Sequence, residues 1–251
     1  MELIISKLLG FVMVLTRVSA FFLTAPVLSW QSIPAVTKVS MALLLTIFLS
    51  ATMPPMHVNT ADVSTVEAVL LISNEAIYGF GLGLIAALVF WAVKFSGEII
   101  EREMGLTFAE ILDPLSGEGG QALSTLLEML FILLFLSANG HHLFLLTISK
   151  SYESFPAGSI PTTAVLTEGI IKGGSTMLVA GLRLAAPMLA AFMLMVIALA
   201  VLARIAPEMD ILFTSFPLKV GLGLLMTAAF IPFINSFVSE FADWMGKLLP
   251  L

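Results

Sequence analysis

Ala76-Ile77-Tyr78-Gly79-Phe80-Gly81-Leu82-Gly83-Leu84-Ile85-Ala86-Ala87-Leu88-Val89-Phe90-Trp91-Ala92-Val93 contains no Lys, Arg, Asp or Glu and lies between Glu75 and Lys94. A bilayer-crossing helix needs about 20 mainly apolar residues. Apolar side chains here fill every face, with no strand-like alternation. The stretch therefore reads as a membrane-type helix. Gly79 and Gly83 stand in GxxxG spacing, which lets two helix backbones approach closely. A nucleotide-binding reading of these glycines is weak, since no strand precedes them and both flanks are apolar.

The rest of the chain extends the same reading. Its 251 residues are 59% apolar and 11% charged, with a mean hydropathy of +1.07. Soluble domains carry about 25% charged residues, so this chain lacks the solvated surface that a soluble protein of its size requires. It reads as an integral membrane protein or one buried among partners. A net charge of -6 argues against nucleic acid or anionic headgroups as main partners, because those call for clustered Lys and Arg. The absence of Cys excludes disulfides, thiolate metal sites and Cys nucleophiles. Lys7, the run Leu8–Thr16 and Val18-Ser19-Ala20 imitate a signal peptide, but Glu2 and Arg17 interrupt the pattern, and a retained first helix is expected.

Six apolar segments follow: Leu3–Ala25, Val36–Met53, Leu70–Phe95, Leu123–Ser149, Ser175–Ala203 and Ile211–Phe241, the last divided near Pro232. Pro26 and Pro187 fall inside apolar runs and are expected to bend their helices. The fold class is all-α, a single domain over residues 1–251 built of polytopic, membrane-type helical hairpins with broken or kinked helices. Lys and Arg are spread over both ends of the segments, so charge bias sets no orientation. Arg17…Pro26 faintly echoes Arg183…Pro187, without matching spacing.

Each segment also carries an ion: Arg17, Lys38, Glu75, Glu128, Arg183 and Lys219. A charge near a bilayer centre costs at least ~2.5–3.5 kcal/mol on insertion scales, so such residues usually face protein or water. They are either ion pairs and caps between helices or the lining of a hydrated pathway.

Six of the 17 acidic residues gather in Ser96–Gln121. Glu98 and Arg102 are at i,i+4, with Glu101 on the adjoining face and Glu103 beside them, which predicts a solvated, salt-bridged turn ending a helix. The loop after it is too long for a connector between hairpins. Asp113-Pro114 and Gly117-Glu118-Gly119-Gly120 suit turns; no Lys follows the glycines, so no phosphate loop forms. Adjacent His141 and His142 point in different directions on a helix and cannot jointly hold a metal without other ligands. No Gly-x-Ser-x-Gly elbow exists either. Neither an enzyme, a metal nor a cofactor is expected. Arg204, Glu208 and Asp210 form a polar hairpin turn, either a loop with Arg204 favoured by the helix C-terminal dipole or a contact turn for a neighbouring subunit.

Several landmarks recur in a recognisable order: Arg17 through Pro26, Ile33-Pro34…Lys38, Glu75 through Gly83, and Gly97-Glu98…Gly105…Ala109…Asp113-Pro114. Asn139-Gly140-His141-His142, Ser151…Ser154-Phe155-Pro156-Ala157-Gly158, Leu184-Ala185-Ala186-Pro187, Arg204-Ile205-Ala206-Pro207 and Phe216-Pro217-Leu218-Lys219 complete it. Together they resemble the FliR family, the flagellar counterpart of the SctT subunit of type III secretion injectisomes. The family usually has Pro-Gln, Asn and Gly-Phe-Pro where this chain has Pro207-Glu208, Asp210 and Ser215-Phe216-Pro217, so contacts of that turn do not carry over directly.

The resemblance implies a subunit of an export gate in the bacterial inner membrane, within the flagellar basal body. Its implied partners are FliP-like, FliQ-like and FlhB-like proteins, and its implied substrates are unfolded flagellar proteins. It also implies a pore plug within Gly105–Gln121. Gly105, Leu106, Phe108, Ile111, Leu112, Asp113, Pro114 and Leu115 would form the seal and its turn, and Gly117, Gly119 and Gly120 would let it move. Arg17, Glu75, Glu98, Glu101, Arg102, Arg183, Arg204, Glu208, Asp210 and Lys219 are expected as subunit contacts or structural charges. The alternatives are a secondary transporter using Arg183, Pro187 and Glu75 at its midplane, and a purely structural scaffold of a secretion complex.

Overall fold

Backbone that cannot reach water must close its hydrogen bonds within its own segment, and only a helix does so in a single stretch of chain. The computed structural model follows that rule. It describes residues 2–30, 33–52, 64–106, 121–159, 163–208, 213, 215–229 and 231, with regular structure that is helical throughout these residues. The helices are α1 (Glu2–Thr24), α2 (Ala35–Thr52), α3 (Thr65–Met104), α4 (Ala122–Ser137), α5 (Gly140–Ser154), α6 (Thr163–Ile205) and α7 (Ser215–Ala229). Four are long and apolar enough to cross a membrane, or five if α4 and α5 count as one broken span.

Two proline expectations resolve differently. Pro26 ends α1 instead of bending it: Ala25 still donates to Phe21 O at 2.8 Å, and the chain then turns through Val27 at φ 69°. Pro187 sits inside α6 and does not end it. The expected single segment Leu123–Ser149 is in fact α4 and α5, bent by 74°. Asn139 makes the break at φ 59°, a left-handed conformation that Asn tolerates better than most residues.

The third and fifth segments outrun their predicted limits. α3 has 40 residues and α6 has 43. At 1.5 Å per residue they measure roughly 60 and 64 Å, about twice the ~30 Å hydrocarbon core.

The chain divides into two compact units, one built around Met1–Val89 and Asn139–Gly174, the other around Phe90–Ala138 and Ser175–Phe241. In the first, Met13, Val18, Phe21, Tyr78, Leu82, Phe144 and Ile148 are buried, and Phe21 meets Phe144 edge-on at 5.9 Å. Gly79 and Gly83 are needed there. A Cβ on Gly79 would collide with the carbonyl oxygen of Arg17, and one on Gly83 with the Thr24 hydroxyl, so α1 and α3 touch along the GxxxG face.

In the second unit Phe90 is held edge-on by Phe131 and Phe135 at 5.1 and 5.2 Å. A Cβ on Gly97 would come within 2.6 Å of Ser124 Cα, so α3 and α4 also pack backbone to backbone.

Three buried hydroxyls bond within their own helices. Thr46 donates to Ala42 O, Ser96 to Val93 O and Thr227 to Gly223 O, at 2.6–2.7 Å. Bonding a carbonyl of the preceding turn lets Ser and Thr lie in an apolar helix without an orphaned donor.

Candidate functional site

Two polar constructions stand out against this apolar background, one in each unit. The first surrounds Arg17. Its Nε donates to Glu75 Oε2 at 2.6 Å, with both side chains 1% exposed. Nη1 donates to Ser151 O and Oγ, each at 3.3 Å, and to Phe155 O at 3.0 Å; Nη2 reaches the same Phe155 oxygen at 3.1 Å. Ser151 and Phe155 stand at the C-terminal end of α5, where the dipole favours a cation; Ser151 O also accepts the Phe155 N–H, at 3.0 Å. The guanidinium also lies over Tyr152 at 4.0 Å and Tyr78 at 4.8 Å from the ring centroids.

The turn after α5 completes the cluster. Ser159 donates to Pro156 O at 3.0 Å, and Gly158 takes φ 83°, the position of a type II turn that asks for glycine. That turn aims the Gly158 N–H at Glu75 Oε1, at 2.9 Å. Both carboxylate oxygens of Glu75 are thereby used inside the protein. Nearby, Asn74 Nδ2 donates to Ser159 O at 3.1 Å, and the Tyr152 hydroxyl donates to Val14 O at 3.3 Å. Stretches that the sequence presents separately, Arg17–Pro26, Glu75–Gly83 and Ser151–Gly158, thus meet at one point. The sequence marks Arg17 and Glu75 as subunit contacts or structural charges without pairing them, and it gives Tyr78 and Tyr152 no such role.

The second construction closes the ends of the acidic segment. α3 finishes on Gly105 at φ 81°, with Gly105 N–H on Arg102 O at 3.1 Å and Leu106 N–H on Glu101 O at 3.2 Å. This is the Schellman pattern of a helix C-terminus. The Glu101 side chain then accepts the N–H of Leu123, in the first turn of α4. Gln121, which precedes α4, makes no side-chain cap bond, so a carboxylate from α3 takes that role.

Glu101 is therefore buried, at 1% exposure, and not part of a solvated turn. Gly97, Ile100 and Met104 are buried with it at i, i+3 and i+7, and Glu101 is the i+4 member of that stripe. That spacing was visible in the sequence and was outweighed by the charge of the turn. The expected Glu98–Arg102 pair is not made either: Glu98 is half-buried, Arg102 is exposed and no bond joins them. Leu106 is half-buried beside Gly105. Phe108, Ile111, Leu112, Asp113, Pro114 and Leu115 lie outside the described residues, as do Gly117, Gly119, Gly120, Asp210 and Pro232.

The remaining ions sort by environment. Lys38 Nζ donates to Ser29 O at 3.0 Å, and Lys94 pairs with Glu128 at 3.6 Å, both side chains partly exposed. Lys219 is half-buried, and Arg204 stands in the exposed last turn of α6 with Glu208 exposed in the turn beyond. Arg183 is exposed midway along α6. His141 and His142 are exposed neighbours on α5 with ring centroids 4.3 Å apart.

The profile of the family described as bacterial export proteins, family 1, matches residues 8–245. Among curated proteins, the chain is 33% identical to flagellar biosynthetic protein FliR of Escherichia coli K12, over 94% of this chain and 89% of that protein. Against the FliR protein of Pectobacterium carotovorum the identity is 30%, over 93% and 90% of the two chains. Against that of Bacillus subtilis 168 it is 29%, over 90% and 87%.

Proposed function

This chain belongs to family 1 of the bacterial export proteins, and on that footing we propose that it builds and gates the pore of a flagellar protein export apparatus. In this reading, residues 1–251 act as one domain in the inner membrane at the flagellar basal body. They assemble with FliP-like and FliQ-like subunits, are contacted by an FlhB-like protein and pass unfolded flagellar proteins without chemistry of their own. The segment Gly105–Gln121 is the plug. Phe108, Ile111, Leu112 and Leu115 supply an apolar constriction that keeps water and ions out, Asp113-Pro114 sets its turn, and the glycines let it move aside.

The observation that carries this reading is the base of the segment. The Schellman turn at Gly105 and the Glu101–Leu123 bond hold both ends of the segment at one place. A connector needs no such fastening; a plug that must return to one seat does. Deleting Glu110–Ser116 in cells that express the assembled apparatus is expected to make them leak ions and small solutes. Unchanged permeability with an intact assembly favours the scaffold reading and removes the plug. Both oxygens of Glu75 are bonded to Arg17 and Gly158, which weighs against the transporter reading.

A further inference from the structure

α6 has two unlike sides. Gly181, Leu184, Ala185, Met188 and Phe192 are buried, and Gly181 packs so closely that an added Cβ would lie 3.0 Å from Ala92 O on α3. Arg183, two residues on, is turned about 200° around the helix from Gly181. It sits on an exposed stripe with Val179, Ala186, Pro187, Ala190 and Leu194. Pro187 has no N–H, so the Arg183 carbonyl loses its usual helical donor as well. A cation and a freed acceptor are thus offered together, beside residues with little side-chain bulk.

Lipid alone does not suit this stripe. Between Lys172 and Arg204, roughly 48 Å apart along the helix, Arg183 is the single charge. The hydrocarbon core is about 30 Å thick. Anchored at Lys172, it places Arg183, roughly 16 Å along, near the bilayer centre, where a charge is costly. Anchored between Arg183 and Arg204, it leaves Leu178, Val179 and Leu182, each at least half exposed, outside the apolar phase. A second copy of this chain is a poor occupant too. Among the described residues, its carboxylates within the apolar segments, Glu75 and Glu128, are already paired with Arg17 and Lys94.

We propose that the Arg183 face of α6 seats an apolar helix of a different polypeptide, which brings an Asp or Glu carboxylate to the guanidinium. The proposal rests on membership in a multi-subunit export assembly. Charge complementarity and the small residues beside Arg183 define the seat, and the freed carbonyl takes a donor from the same helix.

The chain has no native cysteine, so in membranes holding the whole apparatus Ala190→Cys carries a benzophenone-maleimide photocrosslinker at a single point of this chain, whose conjugates are read through a tag on it. The expected product is one discrete conjugate with a second, different polypeptide. Arg183→Glu lowers its yield about tenfold or more, Arg183→Lys retains part of it, and reversing the facing carboxylate to Arg restores it in the Arg183→Glu background. Conjugation to lipid alone, conjugation to a second copy, or wild-type yield from Arg183→Leu overturns the proposal. Because Arg183 is exposed, a wild-type melting profile of purified Arg183→Leu separates a lost seat from a lost fold. A native pull-down of the unmodified chain separates the two layers of inference. If the chain is recovered alone, the export-assembly reading fails; if it is recovered in an assembly but gives only lipid adducts, this seat alone fails.

Discussion

Arg17 and Arg183 are both set in long apolar helices, and the protein treats them in opposite ways. Arg17 is 1% exposed and spends its Nε, Nη1 and Nη2 donors on Glu75, Ser151 and Phe155 between two tyrosine rings. Arg183 is exposed, and no bond within the described residues holds it. A buried guanidinium without partners would be prohibitively costly, so Arg17 is satisfied by the first unit's own fold. An exposed one carries no such demand during folding and remains available for assembly. The same residue type is therefore satisfied internally in one unit and left exposed in the other.

The comparison is most directly broken by removing each arginine in turn. Arg17→Leu strands the Glu75 carboxylate in the interior and is expected to cost about 3–5 kcal/mol, the usual penalty for breaking a buried ion pair from one side. Thermal unfolding of the detergent-purified chain should show a large downward shift, whereas Arg183→Leu should leave the transition where it is. Equal shifts for the two variants would erase the distinction.

A smaller effect is expected from Gly79→Ala. The new methyl meets the backbone carbonyl of Arg17 and must push α1 and α3 apart, at roughly 1–3 kcal/mol for overpacking. Limited proteolysis of the first unit would register the loosening, and unaltered cleavage would mean that the GxxxG contact is not tight. The smallest effect belongs to Lys94→Met. Lys94 and Glu128 are 34% and 26% exposed at 3.6 Å, and a partly solvated pair of this kind contributes about 0–1 kcal/mol. An unfolding shift approaching that of Arg17→Leu would show that exposure is a poor guide to which ions hold this fold.

Much of the architecture was legible beforehand. The first five apolar segments appear as helices about their expected centres, α7 lies within the sixth, and the Gly79/Gly83 spacing marks a real close approach. The failures share a cause. The apolar segment expected from Leu123 to Ser149 hid a 74° bend, because hydropathy does not report the backbone conformation at Asn139. Charges at Glu98, Glu101 and Arg102 suggested a solvated turn, although the helical stripe through Gly97, Ile100 and Met104 places Glu101 in the interior. Composition counted the charge; the position on the helix decided its surroundings.

Hydropathy, helical period and the order of short motifs are local properties, and they suffice for an all-α, membrane-type chain and for its family. Partnership between ions is not local. Glu75 lies 58 residues from Arg17, and Ser151 lies 134. Nothing in the spacing of the chain says that these groups meet, or that the Gly181 side of α6 is packed and the Arg183 side exposed. Those outcomes depend on which helix faces pack together. Tertiary structure therefore decided which charges the protein satisfies within itself and which it leaves on its surface.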